Sequence, residues 1–227
     1  MLAGLVLVAG TSWAEEDASA RSISIDGQGE VSLPPDVAFV RIGVVAENES
    51  AEVAQSEVNR IVTRILDELR KAKIEQADLQ TVELQIFPVY ANERISSGGE
   101  SPRIQGYRAS NVVRVTVRDL TRVGGVIDAA LGAGGNRVDG VEFSLKDDRP
   151  ARREALQLAV ADGRTKAAAI GEALGVKLGA LRSLREAGSV PGPFPEARMM
   201  SNADSGASAL PGQIRVQARV TMEYEIE

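Results

Sequence analysis

From Ile214 to Ile226 the chain alternates without a fault. Ile214, Val216, Ala218, Val220, Met222, Tyr224 and Ile226 fall on one side. Arg215, Gln217, Arg219, Thr221, Glu223 and Glu225 fall on the other. Successive side chains of a strand point to opposite faces, so this run predicts a strand with one buried face and one wet face. Such strands belong to antiparallel sheets, whose dry face needs an apolar cover.

The rest of the chain supplies that cover and six more strands. Residues 22–31 alternate through Ile23, Ile25 and Val31, with Gly27 and Gly29 marking a bulge or a close backbone approach. Residues 37–46 are almost continuously apolar and predict a strand buried on both faces. Residues 79–89, 107–118, 137–145 and 180–186 also read as strands, and Val113, Val115 and Val117 alternate with Arg114, Thr116 and Arg118. Over 50–72, Ala54, Val58, Ile61, Val62, Ile65 and Leu69 recur at helical spacing behind a Ser50 cap. A short helix is predicted over about 121–131, stopped by Gly132-Ala-Gly-Gly135. Asp147-Asp148-Arg149-Pro150 starts a third helix, with Leu156, Ala159, Val160, Ala167, Ile170 and Leu174 as its apolar stripe and Gly175 as its stop.

The order is therefore ββαββαβαββ, an α+β fold with three helices packed on a largely antiparallel sheet. The helix over 50–72 is placed to join two parallel strands as a βαβ crossover. Residues 37–88 and 107–145 each read strand, helix, strand, a weak echo of two similar lobes.

Composition removes most catalytic designs. The 227 residues contain no His and no Cys. That excludes a Ser-His-Asp triad, an imidazole base, a thiolate nucleophile and Cys- or His-ligated metal. No catalytic, cofactor-binding or metal-binding set is expected, and no cofactor. The formal net charge is −6, yet residues 103–166 carry 12 basic and 8 acidic groups. Arg114, Arg118, Arg122, Arg149, Arg152 and Arg153 make this middle basic. Nucleic acid is not the expected partner, because the patch is sparse and no aromatics interleave it. Asp147 and Asp148 read as helix caps. With Asp139 and Glu142 they offer at most a weak site for a hard cation, at no calcium-site spacing.

Residues 2–10 are apolar and uncharged, and Ser12-Trp13-Ala14 precedes Glu15-Glu16-Asp17. This resembles the back half of a secretory signal peptide, with cleavage expected after Ala14. The basic segment that normally comes first is missing, so the true start is expected upstream of Met1. The run is about half the ~20 residues that a spanning helix needs, so no transmembrane segment is expected in the mature chain. Residues 15–21 read as a flexible mature N-terminus, and 22–227 as one domain.

Several segments together carry a family likeness. They are Gly27-Gln-Gly-Glu30 with Pro35-Asp36, Ile74 to Asp78 with Leu79 and Thr81, Pro88-Val-Tyr90, and Gly106-Tyr-Arg-Ala-Ser-Asn111. Val115-Thr-Val-Arg-Asp-Leu120, Phe143-Ser-Leu145, and the helix with Asp162, Arg164, Lys166 and Ala167 ending at Leu174-Gly175 complete them. In this order and spacing the chain resembles the SIMPL-domain family, the YggE-like exported proteins of bacteria. One departure is Gly163, where the family's helix usually has a small non-Gly residue. The resemblance implies an α+β fold, a place in the periplasm or against the outer membrane, homo-oligomers, other envelope components as partners and a loose tie to oxidative-stress defence. It implies no catalytic residues.

Residues 188–212 hold Pro191, Pro193, Pro195, Pro211 and four Gly, and read as a long irregular loop. Val190, Phe194, Met199, Met200 and Leu210 are apolar residues that a solvated linker does not need. They are the expected contacts of a homo-oligomer. The reading is a non-enzymatic, self-assembling envelope protein. Its rival is a small-ligand-binding or enzymatic module with an Arg/carboxylate-lined pocket.

Overall fold

The computed structural model describes residues 21–91, 103–187, 194–195 and 212–227. The elements run β1 (Ser22–Leu33), β2 (Val37–Asn48), α1 (Ala51–Lys71), β3 (Leu79–Tyr90), β4 (Ile104–Val117), α2 (Val123–Gly132), β5 (Arg137–Ser144), α3 (Arg149–Leu174), β6 (Leu178–Ala187), β7 (Phe194–Pro195) and β8 (Ile214–Ile226). The predicted order is present, and β7 adds a strand of two residues. Two compact units divide the chain: Glu30–Ala155 with Val190–Gln217, and Met1–Gly29 with Leu156–Ser189 and Ala218–Glu227. The boundary falls inside β1, α3 and β8.

In the larger unit four antiparallel neighbours stand in the order β3-β4-β2-β5. Strand β2 is thus parallel to β3 with β4 between them, and β4 is parallel to β5 with β2 between them. The expected crossover is a split one. Two such strand-helix-strand units interlock, β2-α1-β3 and β4-α2-β5, which is the ferredoxin-like arrangement. The echo between 37–88 and 107–145 is therefore a pseudo-twofold inside one sheet.

All six expected core positions of α1 are buried. They meet Val40, Ile42 and Val44 of β2, Val113, Val115 and Val117 of β4, and Val123, Val126 and Ala130 beside α2. Each of the large side chains contributes ~1.5–3 kcal/mol by leaving water. Ser50 holds the N-cap position of α1, but its hydroxyl makes no cap bond. Its own N–H instead donates to Asn48 Oδ1 at 3.0 Å.

In the smaller unit β8 pairs antiparallel with β6. It also flanks β1, where Ile226 N donates to Arg21 O and Thr221 Oγ1 to Asp26 Oδ1. The dry face of β8 is as expected, with Val220 and Met222 at 0% and 1% exposure. The stripe of α3 is as expected in part: Ala159 and Ala167 are buried, and Leu156 and Val160 pack against the same core. Its buried positions are Ala151, Ala155, Ala159, Gly163, Ala167 and Gly171, every fourth residue and all small. Ile170 and Leu174, read as core, are 39% and 63% exposed. Small residues let the helix axis come close to its support, and larger neighbours on the turn then overhang its edge.

All three helices end alike. Ile74 N donates to Leu69 O and Lys73 N to Arg70 O; Gly135 N to Ala130 O and Gly134 N to Leu131 O; Val176 N to Gly171 O and Gly175 N to Glu172 O. These are Schellman caps, each with its C′ residue at positive φ: Lys73 at 59°, Gly134 at 109° and Gly175 at 69°.

Candidate functional site

The segments that carry the family likeness build junctions. A Cβ on Gly27 would lie 2.1 Å from Ala159 O and 2.8 Å from Gly163 N, so β1 and α3 touch backbone to backbone. Asp162 straps that contact. Its Oδ2 accepts from Gln28 N at 2.8 Å and pairs with Lys166 Nζ at 2.7 Å. Lys166 in turn donates to Asp26 O. The Lys166 ammonium and the Gln28 N–H hold the Asp162 carboxyl below the usual carboxylate range. Gly163 sits where a Cβ would meet Met222 Sδ at 2.7 Å. The departure at this position is thus a packing requirement of the junction.

The larger unit is pinned in the same manner. Asp36 Oδ1 accepts from Lys146 N at 2.6 Å. Arg118 grips Asp78 with two bonds, Nη2 to Oδ1 at 2.6 Å and Nε to Oδ2 at 3.1 Å, and Asp78 is 8% exposed. Arg122 Nη2 donates to Ala72 O at the end of α1.

Most of the basic middle of the chain is neutralised locally. Arg149 holds Asp147 through two 2.7 Å bonds and its backbone N–H, which lowers the Asp147 carboxyl to about 2. Arg152 pairs with Asp148 at 2.7 Å. Asp139 pairs with Arg137. Three of the four acidic residues considered for a cation are therefore engaged by arginine. Among the described residues no group of three or more acidic side chains is set to hold a metal ion.

On the sheet face opposite α1 and α2, three arginines converge. Arg41 of β2 stands directly opposite Arg114 of β4. Arg114 Nη2 donates to Gln80 Oε1 at 2.6 Å, and its guanidinium lies 5.3 Å from the centre of the Phe39 ring. Arg137 lies flat across Gly43, whose Cβ would be 2.9 Å from its Nε. It reaches Glu83 of β3 at 3.7 Å, and its Nη2 donates to Asp139 Oδ2 at 3.0 Å. Gly43 thus makes room for a guanidinium that links opposite edges of the sheet.

Between α1 and α2 opens a groove of about 670 Å³ lined by Arg64, Asp67, Glu68 and Lys71 and by the α2 end at Ala129 and Gly132–Gly134. Its carboxylates are already paired, Asp67 with Arg70 and Glu68 with Lys71, both at 2.7 Å. Arg64 Nη2 stands over Gly134 at the α2 C-terminus, where a cation complements the helix dipole. The glycine cluster is a helix end, as its position before a strand implies.

Of the expected oligomer contacts, Val190, Met199, Met200 and Leu210 lie outside the described residues. The Phe194 backbone pairs with Arg215 of β8. The exposed apolar surface that sequence reading missed is elsewhere. Leu84, Ile86, Phe87 and Tyr90 of β3 and Ile104 of β4 are 38–54% exposed. They stand on a hairpin whose β3 is a sheet edge. The signal was present: Leu84, Ile86 and Phe87 make β3 apolar on both faces, which an edge strand in water does not need.

With these junctions in view, the comparisons with known proteins are decisive. The model of the SIMPL family, described as a protein of unknown function (DUF541), matches residues 23–224. The chain belongs to the SIMPL family. It is 32% identical over 213 residues to the 26 kDa periplasmic immunogenic protein of Brucella melitensis, covering 90% of this chain and 84% of that one. It is 30% identical over 201 residues to the uncharacterized protein YggE of Edwardsiella ictaluri, at 88% and 82% coverage. The uncharacterized protein YggE of Escherichia coli K12 is 28% identical over 200 residues, at 88% and 79%. Of the SIMPL segments named above, Gly27, Gln28, Asp162 and Lys166 join β1 to α3, and Asp36, Asp78 and Arg118 pin the larger unit. Nothing in these matches points to an enzymatic activity.

Proposed function

We propose that this SIMPL protein works in the bacterial envelope, exported to the periplasm, and acts by assembling with copies of itself. A relative bears a periplasmic name, and Ser12-Trp13-Ala14 behind an apolar run suits export. No helix among the described residues is long and apolar enough to cross a membrane. The observation that carries the assembly reading is the β3–β4 hairpin. Phe87, Tyr90 and Ile104 are each at least half exposed, and Leu84 is 54% exposed. Half-exposure of five such side chains leaves roughly 400 Å² of apolar surface, about half of what each partner buries in a stable complex. The loop at 188–212, with Val190, Phe194, Met199, Met200 and Leu210, supplies the rest in this proposal. Protection in oxidative stress and contacts with other envelope components are the settings we attach to the assembly.

Light scattering on the purified mature chain tests this. An oligomer at micromolar concentration is expected, and Leu84→Glu with Phe87→Glu is expected to lower its mass with circular dichroism unchanged. Deleting residues 190–210 behind a short Gly-rich turn is expected to do the same. A wild-type monomer overturns the proposal and favours the rival, a ligand-binding or enzymatic module using the groove between α1 and α2.

A further inference from the structure

Independently of assembly, we propose that Arg41 and Arg114 form a binding site for the phosphate group of a phosphate monoester. The two residues are cross-strand partners on the central strands β2 and β4. Like charges so placed repel, and a sheet gains nothing from the pair unless an anion is shared between them. The other arginines of these strands and of β5 have carboxylate partners: Arg108 with Glu47 at 2.6 Å and Arg137 with Asp139 at 2.5 Å. Arg41 is exposed and makes no hydrogen bond or ion pair among the described residues. Arg114 is fixed, but by neutral groups, the Gln80 amide oxygen and the Phe39 ring. Its orientation is thereby set while its charge is left uncompensated.

The surroundings leave room for a ligand. Across β2 from Arg114, Arg41 is flanked on β5 by Gly140, at φ 142°, and a Cβ there would meet nothing within 4 Å. Thr116 stands opposite Phe39 and places a hydroxyl on the same face. Two unshared guanidiniums match the −1.5 to −2 charge of a phosphate monoester better than the single charge of a carboxylate. Two carboxylates of β5 lie near a bound anion: Glu142, opposite Phe39 and exposed, and Asp139, beside Gly140 and paired with Arg137.

Isothermal calorimetry at low ionic strength with phenyl phosphate, and with phenyl sulfate as a monoanion of similar shape, tests the site. Saturable binding of phenyl phosphate is expected, about tenfold tighter than phenyl sulfate. Arg41→Gln and Arg114→Gln are each expected to weaken it about tenfold or more. Glu142→Gln is expected to strengthen it, and Arg108→Gln to leave it unchanged. Binding is expected to weaken as pH falls through about 6, where the monoester loses its second charge. Flotation with phosphatidylcholine vesicles containing phosphatidic acid separates the sources. Arg41-dependent flotation points to a lipid headgroup, and calorimetric binding without flotation to a soluble monoester. No saturable heat and no flotation, or binding indifferent to Arg41→Gln in a protein of unchanged circular dichroism, overturns the proposal.

Discussion

The two units solve the same problem, a helix on a sheet, by opposite means. In the larger one, large aliphatic side chains interlock: Ile65 and Leu69 of α1 are 1% and 0% exposed against Val113 and Val115 of β4. In the smaller one, Ile25, Val220, Met222 and Tyr224 pack around small residues of α3, and where β1 crosses the helix Gly27 lies against the backbone of Ala159 and Gly163. The first contact tolerates a shape change but is weakened by lost volume. The second has little side-chain volume to lose where β1 crosses α3, and no space to give there. A core of interlocked side chains is stabilised by apolar burial and packing. A backbone-to-backbone junction depends instead on fit, and on the Asp162 and Lys166 bonds that hold the two segments in place.

The sharpest way to break this contrast is to enlarge the close contact. Gly27→Val forces a branched side chain against a carbonyl oxygen that would lie 2.1 Å from its Cβ. A loss of at least about 4 kcal/mol is expected in urea unfolding, because backbone must move. A loss below about 1 kcal/mol would mean that β1 is not held where it is described.

Truncation should discriminate in the other direction. Leu69→Ala in α1, at 0% exposure, is expected to cost about 3 kcal/mol through lost burial and a cavity. Ala167→Gly in α3, also at 0% exposure, is expected to cost only about 1 kcal/mol, most of it helix propensity. Equal losses would erase the distinction between the two cores.

Gly163 refines it further. Its Cβ would meet Met222 Sδ, the flexible part of a side chain, at 2.7 Å. Gly163→Ala therefore sets about 1 kcal/mol of gained helix propensity against a displaced, buried Met222. A small net loss is expected. In a Met222→Ala background the same change is expected to stabilise by about 1 kcal/mol, and a double-mutant cycle reads the coupling. Additive effects would show that Met222 does not fill the space beside Gly163.

What was legible follows the same divide. The α1 stripe could be read residue by residue, because large apolar side chains at helical spacing have few other uses. The alternation of β8 was equally plain. In α3 the reading fits the structure at Leu156, Ala159, Val160 and Ala167 but fails at Ile170 and Leu174, while Ala151, Ala155, Gly163 and Gly171, small residues with little periodic signal, are buried positions that it misses. Strand β2 looked buried on both faces, yet Arg41 interrupts it at an exposed position. The strand order, which places Arg41 opposite Arg114 and lays Arg137 across Gly43, depends on long-range pairing that no local window contains. The expected loop contacts Val190, Met199, Met200 and Leu210 fall outside the described residues.

The smallest expected effect is the response to acid, and it too separates the units. Asp162 straps the close junction, while Asp147 merely pairs with Arg149 at the exposed start of α3. Both carboxyls are held low, Asp147 to about 2 by the Arg149 guanidinium and Asp162 by Lys166. A carboxyl depressed in the folded state stabilises it fully above its unfolded value of about 3.9, and that stabilisation is lost as pH falls through the folded value. The windows therefore open near pH 4 and run downward, for Asp147 to about 2. Asp147→Asn should change the urea midpoint little at neutral pH, since exposed ion pairs contribute little. Asp162→Asn keeps an oxygen to accept from Gln28 N but loses the charge facing Lys166. It should lower the midpoint at neutral pH by more than Asp147→Asn does. The gap between Asp162→Asn and wild type should then narrow as pH falls below about 4, because the wild-type carboxylate is itself being protonated. A gap that stays constant down to about pH 2 would mean that the strap works by shape alone, and that charge contributes nothing to holding β1 on α3.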